Sequence, residues 1–63
     1  MNKVLTTHRI TINGSVVIKF ITYACSVSGL YINCISYSMP NDTYEYDVTC
    51  TEEDISYIKL KYG

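Results

Sequence analysis

The chain predicts a small, mainly antiparallel β domain: a meander of three to five strands with a short helix or helical turn near the C-terminus. Three observations point there. Four runs rich in β-branched and aromatic residues alternate with period two. Asn13-Gly14 and Met39-Pro40-Asn41-Asp42-Thr43 separate runs with strong turn residues. Thr51-Glu52-Glu53-Asp54 combines a capping residue with three acids suited to the positive end of a helix. At 63 residues, 48% hydrophobic and 17% charged, residues 1–63 make one folded domain. A chain this short buries only about 60% of its unfolded surface, and a homodimer is the expected supplement to so thin a core.

In the first run, Val4 to Ile12, Val4, Thr6, His8, Ile10 and Ile12 share a face. Asn13-Gly14 then predicts a type I′ hairpin, whose turn positions require positive φ, so Ser15 to Ala24 is expected as an antiparallel second strand. Both faces of that run are apolar, which predicts a central or doubly covered strand. Cys25 to Gly29 reads as a link. Leu30 to Ser38 is the third strand, with Leu30, Ile32 and Cys34 facing one way and Tyr31, Asn33, Ile35 and Tyr37 the other. Pro40 suits the second position of the following turn. In the fourth strand, Tyr44 to Cys50, apolar Tyr44, Tyr46, Val48 and Cys50 alternate with Glu45, Asp47 and Thr49. Residues 52 to 57 predict a helical turn, and Ile58 to Tyr62 either continue it or alternate as a last short strand.

Charge is unevenly spread. All six acids, Asp42, Glu45, Asp47, Glu52, Glu53 and Asp54, fall within thirteen positions, whereas the 41 residues before them carry none. If the fourth strand and the next turn presented them together, the resulting patch would mimic phosphates and steer toward a basic, nucleic-acid-binding surface of a partner protein. A solvated strand face followed by a helix start is the plainer explanation. Seven of the eight aromatics are tyrosines. Tyr44, Tyr46 and Tyr57 are placed with the acids as partner-binding residues, and Tyr23, Tyr31 and Tyr37 as an oligomer interface, because tyrosine gives large contact area with a wet hydroxyl.

Other chemistries are poorly supplied. Five basic residues spread along the chain, beside an acidic segment, suit direct nucleic-acid binding badly. His8 is the single histidine, and no spacing assigns it Cys25, Cys34 or Cys50 as a nucleophile or places the four as a zinc set; no cofactor, metal or enzymatic activity is expected. The three cysteines are odd in number and irregularly spaced, as in a reducing compartment. The most apolar run, Val16 to Ala24, is too short to span a membrane and contains Lys19, which also spoils it as a signal peptide. A cytoplasmic protein is expected, and Asn13-Gly14-Ser15 and Asn41-Asp42-Thr43 are read as turns rather than glycosylation sites. Ile, Tyr, Asn and Lys supply 23 residues, a usage that suits A/T-rich codons and hence a low-GC bacterium or its phages.

Two functions are expected on these grounds. The first is a small non-catalytic inhibitor or modulator, phage-encoded and anti-defence, whose acidic face binds a basic host protein in the bacterial cytoplasm. The alternative is a self-assembling accessory protein with a Tyr-rich interface; single-stranded nucleic-acid binding ranks third.

Overall fold

A computed structural model describes residues 4–62. Three strands and two helices run in the order β1 (Thr6–Asn13), α1 (Val17–Ser26), β2 (Tyr31–Ser38), β3 (Thr43–Cys50) and α2 (Glu52–Lys61). The antiparallel sheet has the order β1-β3-β2, so β3 is central. β1 pairs with β3 from Thr6↔Cys50 to Asn13↔Thr43, and β2 pairs with β3 from Tyr31↔Thr49 to Ser38↔Thr43. The predicted small antiparallel sheet with a C-terminal helix is what forms, and three eight-residue strands outweigh two ten-residue helices.

Both helices cover the same face. One core holds Ile10 and Ile12 of β1, Tyr46, Val48 and Cys50 of β3, Val17, Phe20 and Ala24 of α1, and Ile55 and Ile58 of α2. Phe20 is its centre: fully buried, it meets Tyr46 edge-on at 5.3 Å and Tyr62 at 5.7 Å between ring centroids. Alternation along β1 and β3 then sends Thr7, Arg9, Thr11, Glu45, Asp47 and Thr49 to the other face, which no helix covers. The result is a two-layer sandwich with one open sheet face.

The expected second strand is a helix. Val17, Phe20 and Ala24 recur at three and four residues and bury one stripe against the sheet. The β-branched content of this run favours a strand locally, but a helix lets the segment cover the sheet and carry the chain across it. Tertiary burial outweighs propensity here. The start of α1 offers no signal, since Val16 caps it without a side-chain hydrogen bond and its first turn holds no acid. Asn13-Gly14 does turn the chain, with the Val16 N–H donating to the Asn13 carbonyl at 3.0 Å, but it turns into α1. Gly14 does not take the positive φ of a type I′ turn; among the described residues Gly29 and Asp42 do.

The other boundaries obey their local signals. The Asp42 N–H donates to the Met39 carbonyl at 3.2 Å across a turn with Pro40 in second place, and Asp42 itself has φ 50°. Thr51 caps α2, its hydroxyl accepting from the Asp54 N–H at 3.3 Å, with Glu52, Glu53 and Asp54 in the first turn and Lys59 and Lys61 in the last. α2 continues through Lys61, so the alternative last strand over Ile58 to Tyr62 does not form. Among the described residues, no helix is long and apolar enough to cross a membrane.

Candidate functional site

The open face of the sheet is built in cross-strand rows. In order β1-β3-β2, these are Thr7-Thr49-Tyr31, Arg9-Asp47-Asn33, Thr11-Glu45-Ser36 and Asn13-Thr43-Ser38. Small polar side chains dominate. Thr7 and Thr49 hydroxyls meet at 2.8 Å, and the Arg9 guanidinium donates from Nε to Asp47 Oδ1 at 3.0 Å and from its second terminal nitrogen to Oδ2 at 3.3 Å. That hydrogen bond holds the Asp47 carboxyl below its ordinary range and raises the Arg9 guanidinium. The pair is exposed, so salt screens it and it adds little to stability. Glu45 stands one row along as the carboxylate of the central strand without an ion-pair partner among the described residues.

The six acids do not converge. Glu45 and Asp47 lie on the open face; Asp42 sits in the turn before β3, and Glu52, Glu53 and Asp54 begin α2 after it. Eight strand residues at ~3.4 Å each separate those two groups by roughly 25 Å. The expected single patch is therefore three sites, because β3 itself lies between its ends. The Arg9–Asp47 pair depends on the β1–β3 register, which neither strand's own sequence reveals.

The tyrosines divide likewise. Tyr44 and Tyr46 project to the helix side of β3, opposite Glu45 and Asp47. Tyr46 is 5% exposed, and burial raises its hydroxyl above the ordinary range, so it is a core residue. Tyr57, on α2, is 40% exposed and packs against Tyr23 at 5.1 Å between centroids. Tyr23 also meets Tyr62 at 5.9 Å and so belongs to the contact between helices.

Tyr31 and Tyr37 fall on opposite faces, contrary to the strict alternation expected. A β-bulge between Cys34 and Ser36 shifts the register by one residue. After it Ser36 faces Glu45 on the open side, while Tyr37 turns to the helix side and stacks near Tyr44 at 4.5 Å. The Tyr37 hydroxyl donates to Asp42 Oδ1 at 3.0 Å, which raises the tyrosine above its ordinary range. The three tyrosines expected as one cluster thus occupy three surroundings.

Among the described residues, no three His, Cys, Asp or Glu side chains are grouped to hold a metal ion. His8 bonds instead to the Thr6 hydroxyl, at 2.6 Å from its Nε2. A shallow cleft of ≈ 270 Å³ lies among Val4, Thr51, Glu52 and Glu53. Cys50 is fully buried, and burial first, then Asp54 and Glu52, push its thiol up, whereas Cys25 and Cys34 are exposed. Dilute native protein should therefore present two thiols to Ellman's reagent at neutral pH and a third only after unfolding. Three equally fast thiols would contradict the buried place of Cys50.

Fold and surface together define a class: a two-layer βαββα sandwich with a polar, partly acidic open sheet face. The chain matches no family model, no curated protein and no solved structure at a significant level.

Proposed function

We propose that this protein is a small non-catalytic binding module whose open sheet face docks on a basic, nucleic-acid-binding surface of a partner protein and thereby inhibits or modulates it. Glu45 carries the reading. It occupies the central strand, flanked in register by the uncharged Thr11 and Ser36, where an incoming Arg or Lys meets no competing cation in its own row. Arg9 and Asp47 next to it form an exchangeable surface pair, because an exposed ion pair is weakly held. With Glu45 and Asp47 against Arg9, the face keeps a negative excess that repels phosphate, which favours a protein over a nucleic acid as ligand.

The platform is about 27 Å by 14 Å, three strands ~4.8 Å apart, or on the order of 400 Å². A stable complex uses roughly 800 Å² per partner, so docking extends past the sheet, toward Asp42 at one end or Glu52 and Glu53 at the other. The codon-like composition, which suits a phage, favours a partner among host defence or nucleic-acid enzymes in a bacterial cytoplasm.

The test is affinity capture from bacterial lysate with the parent, Glu45→Lys and Glu53→Lys, each first shown to be folded. The parent should recover a basic nucleic-acid-binding protein, Glu45→Lys should lose it, and raising salt from ~50 to ~300 mM should weaken it. Equal recovery by parent and Glu45→Lys would remove the open face from the reading.

Self-association is a second reading, favoured by one observation: Tyr31, Ile35, Tyr37 and Met39, in or just beyond β2, are all exposed.

A further inference from the structure

Among the described residues, five of the nine large apolar side chains left in solvent lie on or beside β2 and on α1. β2 is an edge strand with no charged residue, and Tyr31, Ile35 and Tyr37 on it are 63%, 39% and 45% exposed, with Met39 just beyond at 77%. α1 completes the flank. Its Val17, Phe20 and Ala24 face the sheet and its Tyr23 faces α2. At 3.6 residues per turn, Ile18 and Cys25 then point to the side away from α2, above the β2 edge. Ile18 is 72% exposed, and Cys25 and Cys34 are exposed as well.

We propose that this β2–α1 flank is a self-association surface on which a second copy of the chain docks about a two-fold axis. The inference rests on the self-association reading and assigns its surface. Two arguments select a second copy as the occupant. A two-fold axis sets a patch against itself, so a charged patch would oppose like charges, whereas β2 holds no charged residue, and the carboxylate beside it, Asp42, is already bonded to the Tyr37 hydroxyl. The five side chains Ile18, Tyr31, Ile35, Tyr37 and Met39, with Tyr31 on the open side of the β2 edge and Tyr37 on its helix side, together expose the equivalent of about three large residues, on the order of 600 Å². That approaches the roughly 800 Å² per partner of a stable interface before any polar rim is added.

The bulge decides the manner of contact. An interrupted register at Cys34/Ser36 disfavours an unbroken ladder between two β2 edges, so the copies meet through side chains rather than as one continuous sheet. Tyrosine suits such a contact, its ring buried and its hydroxyl at the wet margin.

Sedimentation equilibrium of the parent, Ile35→Lys, Tyr37→Lys and Leu60→Lys tests the assignment. Leu60 is 88% exposed on α2 and serves as the control. The parent should dimerise with a Kd of about 100 µM or tighter, the two β2 variants should weaken this at least about tenfold, and Leu60→Lys should change it less than about twofold. A parent that stays monomeric at that concentration would overturn both the surface and the self-association reading. Association weakened by Leu60→Lys but not by the β2 variants would overturn the surface alone. Should a β2 variant fail to fold, labelling of Cys34 in a Cys25→Ser chain decides. Its rate should fall as protein concentration rises, and a concentration-independent rate in a chain that dimerises would remove β2 from the interface.

Discussion

Phe20→Ala should leave the protein unfolded or nearly so, whereas Ile18→Ala should leave its urea midpoint almost unchanged. Phe20 is fully buried between the sheet and α2, against Tyr46 and Tyr62, and Ile18 is 72% exposed. Truncating a buried Phe costs about 3–5 kcal/mol through lost transfer energy and the cavity left behind. At ~0.05–0.15 kcal/mol per residue, a chain of this length has a total stability of only roughly 3–9 kcal/mol. The contrast also tests α1 itself. In a strand, residues two apart share a face and the two substitutions should cost alike; in a helix they lie on nearly opposite sides. Comparable losses at both positions would contradict the helix.

Gly14→Ala should destabilise, for a reason unlike the one its Asn-Gly setting suggests. Its backbone has no positive φ, but a Cβ at Gly14 would strike the Asp42 carboxylate. The Gly14 N–H donates to the Asp42 carbonyl at 2.7 Å, and Tyr37 holds the Asp42 side chain, so neither partner withdraws freely. Overpacking of this kind costs about 1–3 kcal/mol. Asp42→Gly in the same chain should restore most of it, since the struck side chain disappears and φ 50° suits glycine. The informative quantity is the coupling in the double-mutant cycle measured by thermal or urea unfolding. Simple additivity would show that the two turns do not press on each other.

The sequence makes β1, β2 and β3 legible to within two residues at each end, because alternation and turn chemistry agree there. The hairpin turn about Pro40 and the Thr51 cap are legible for the same reason: each is a local interaction between near neighbours. Ser15 to Ala24 is not, since Val17, Phe20 and Ala24 fit a helical stripe while the β-branched residues around them fit a strand. What decides is coverage of a sheet formed by distant segments. The surfaces suffer more. One unpaired residue at Ile35 reverses the side on which Tyr37 emerges, and the β1–β3 register supplies Asp47 with Arg9. Clustering in sequence also misleads for the acids, because an extended strand carries neighbours apart at over 3 Å per residue. Thirteen consecutive positions reach from one end of the sheet to the other.

The uncovered sheet face has a consequence for how such a chain can change. Its core depends on side chains from the opposite side of the same strands, so Thr7, Thr11, Asn33, Glu45 and Ser36 have no role in filling the interior. Exchanges at positions of that kind usually shift stability by no more than about 0.5 kcal/mol. If the open face is the docking surface proposed above, recognition and folding use opposite sides of the same three strands. A lineage under pressure from a changing target can revise one set while the other stays fixed, which matters most for a domain with little stability to spare.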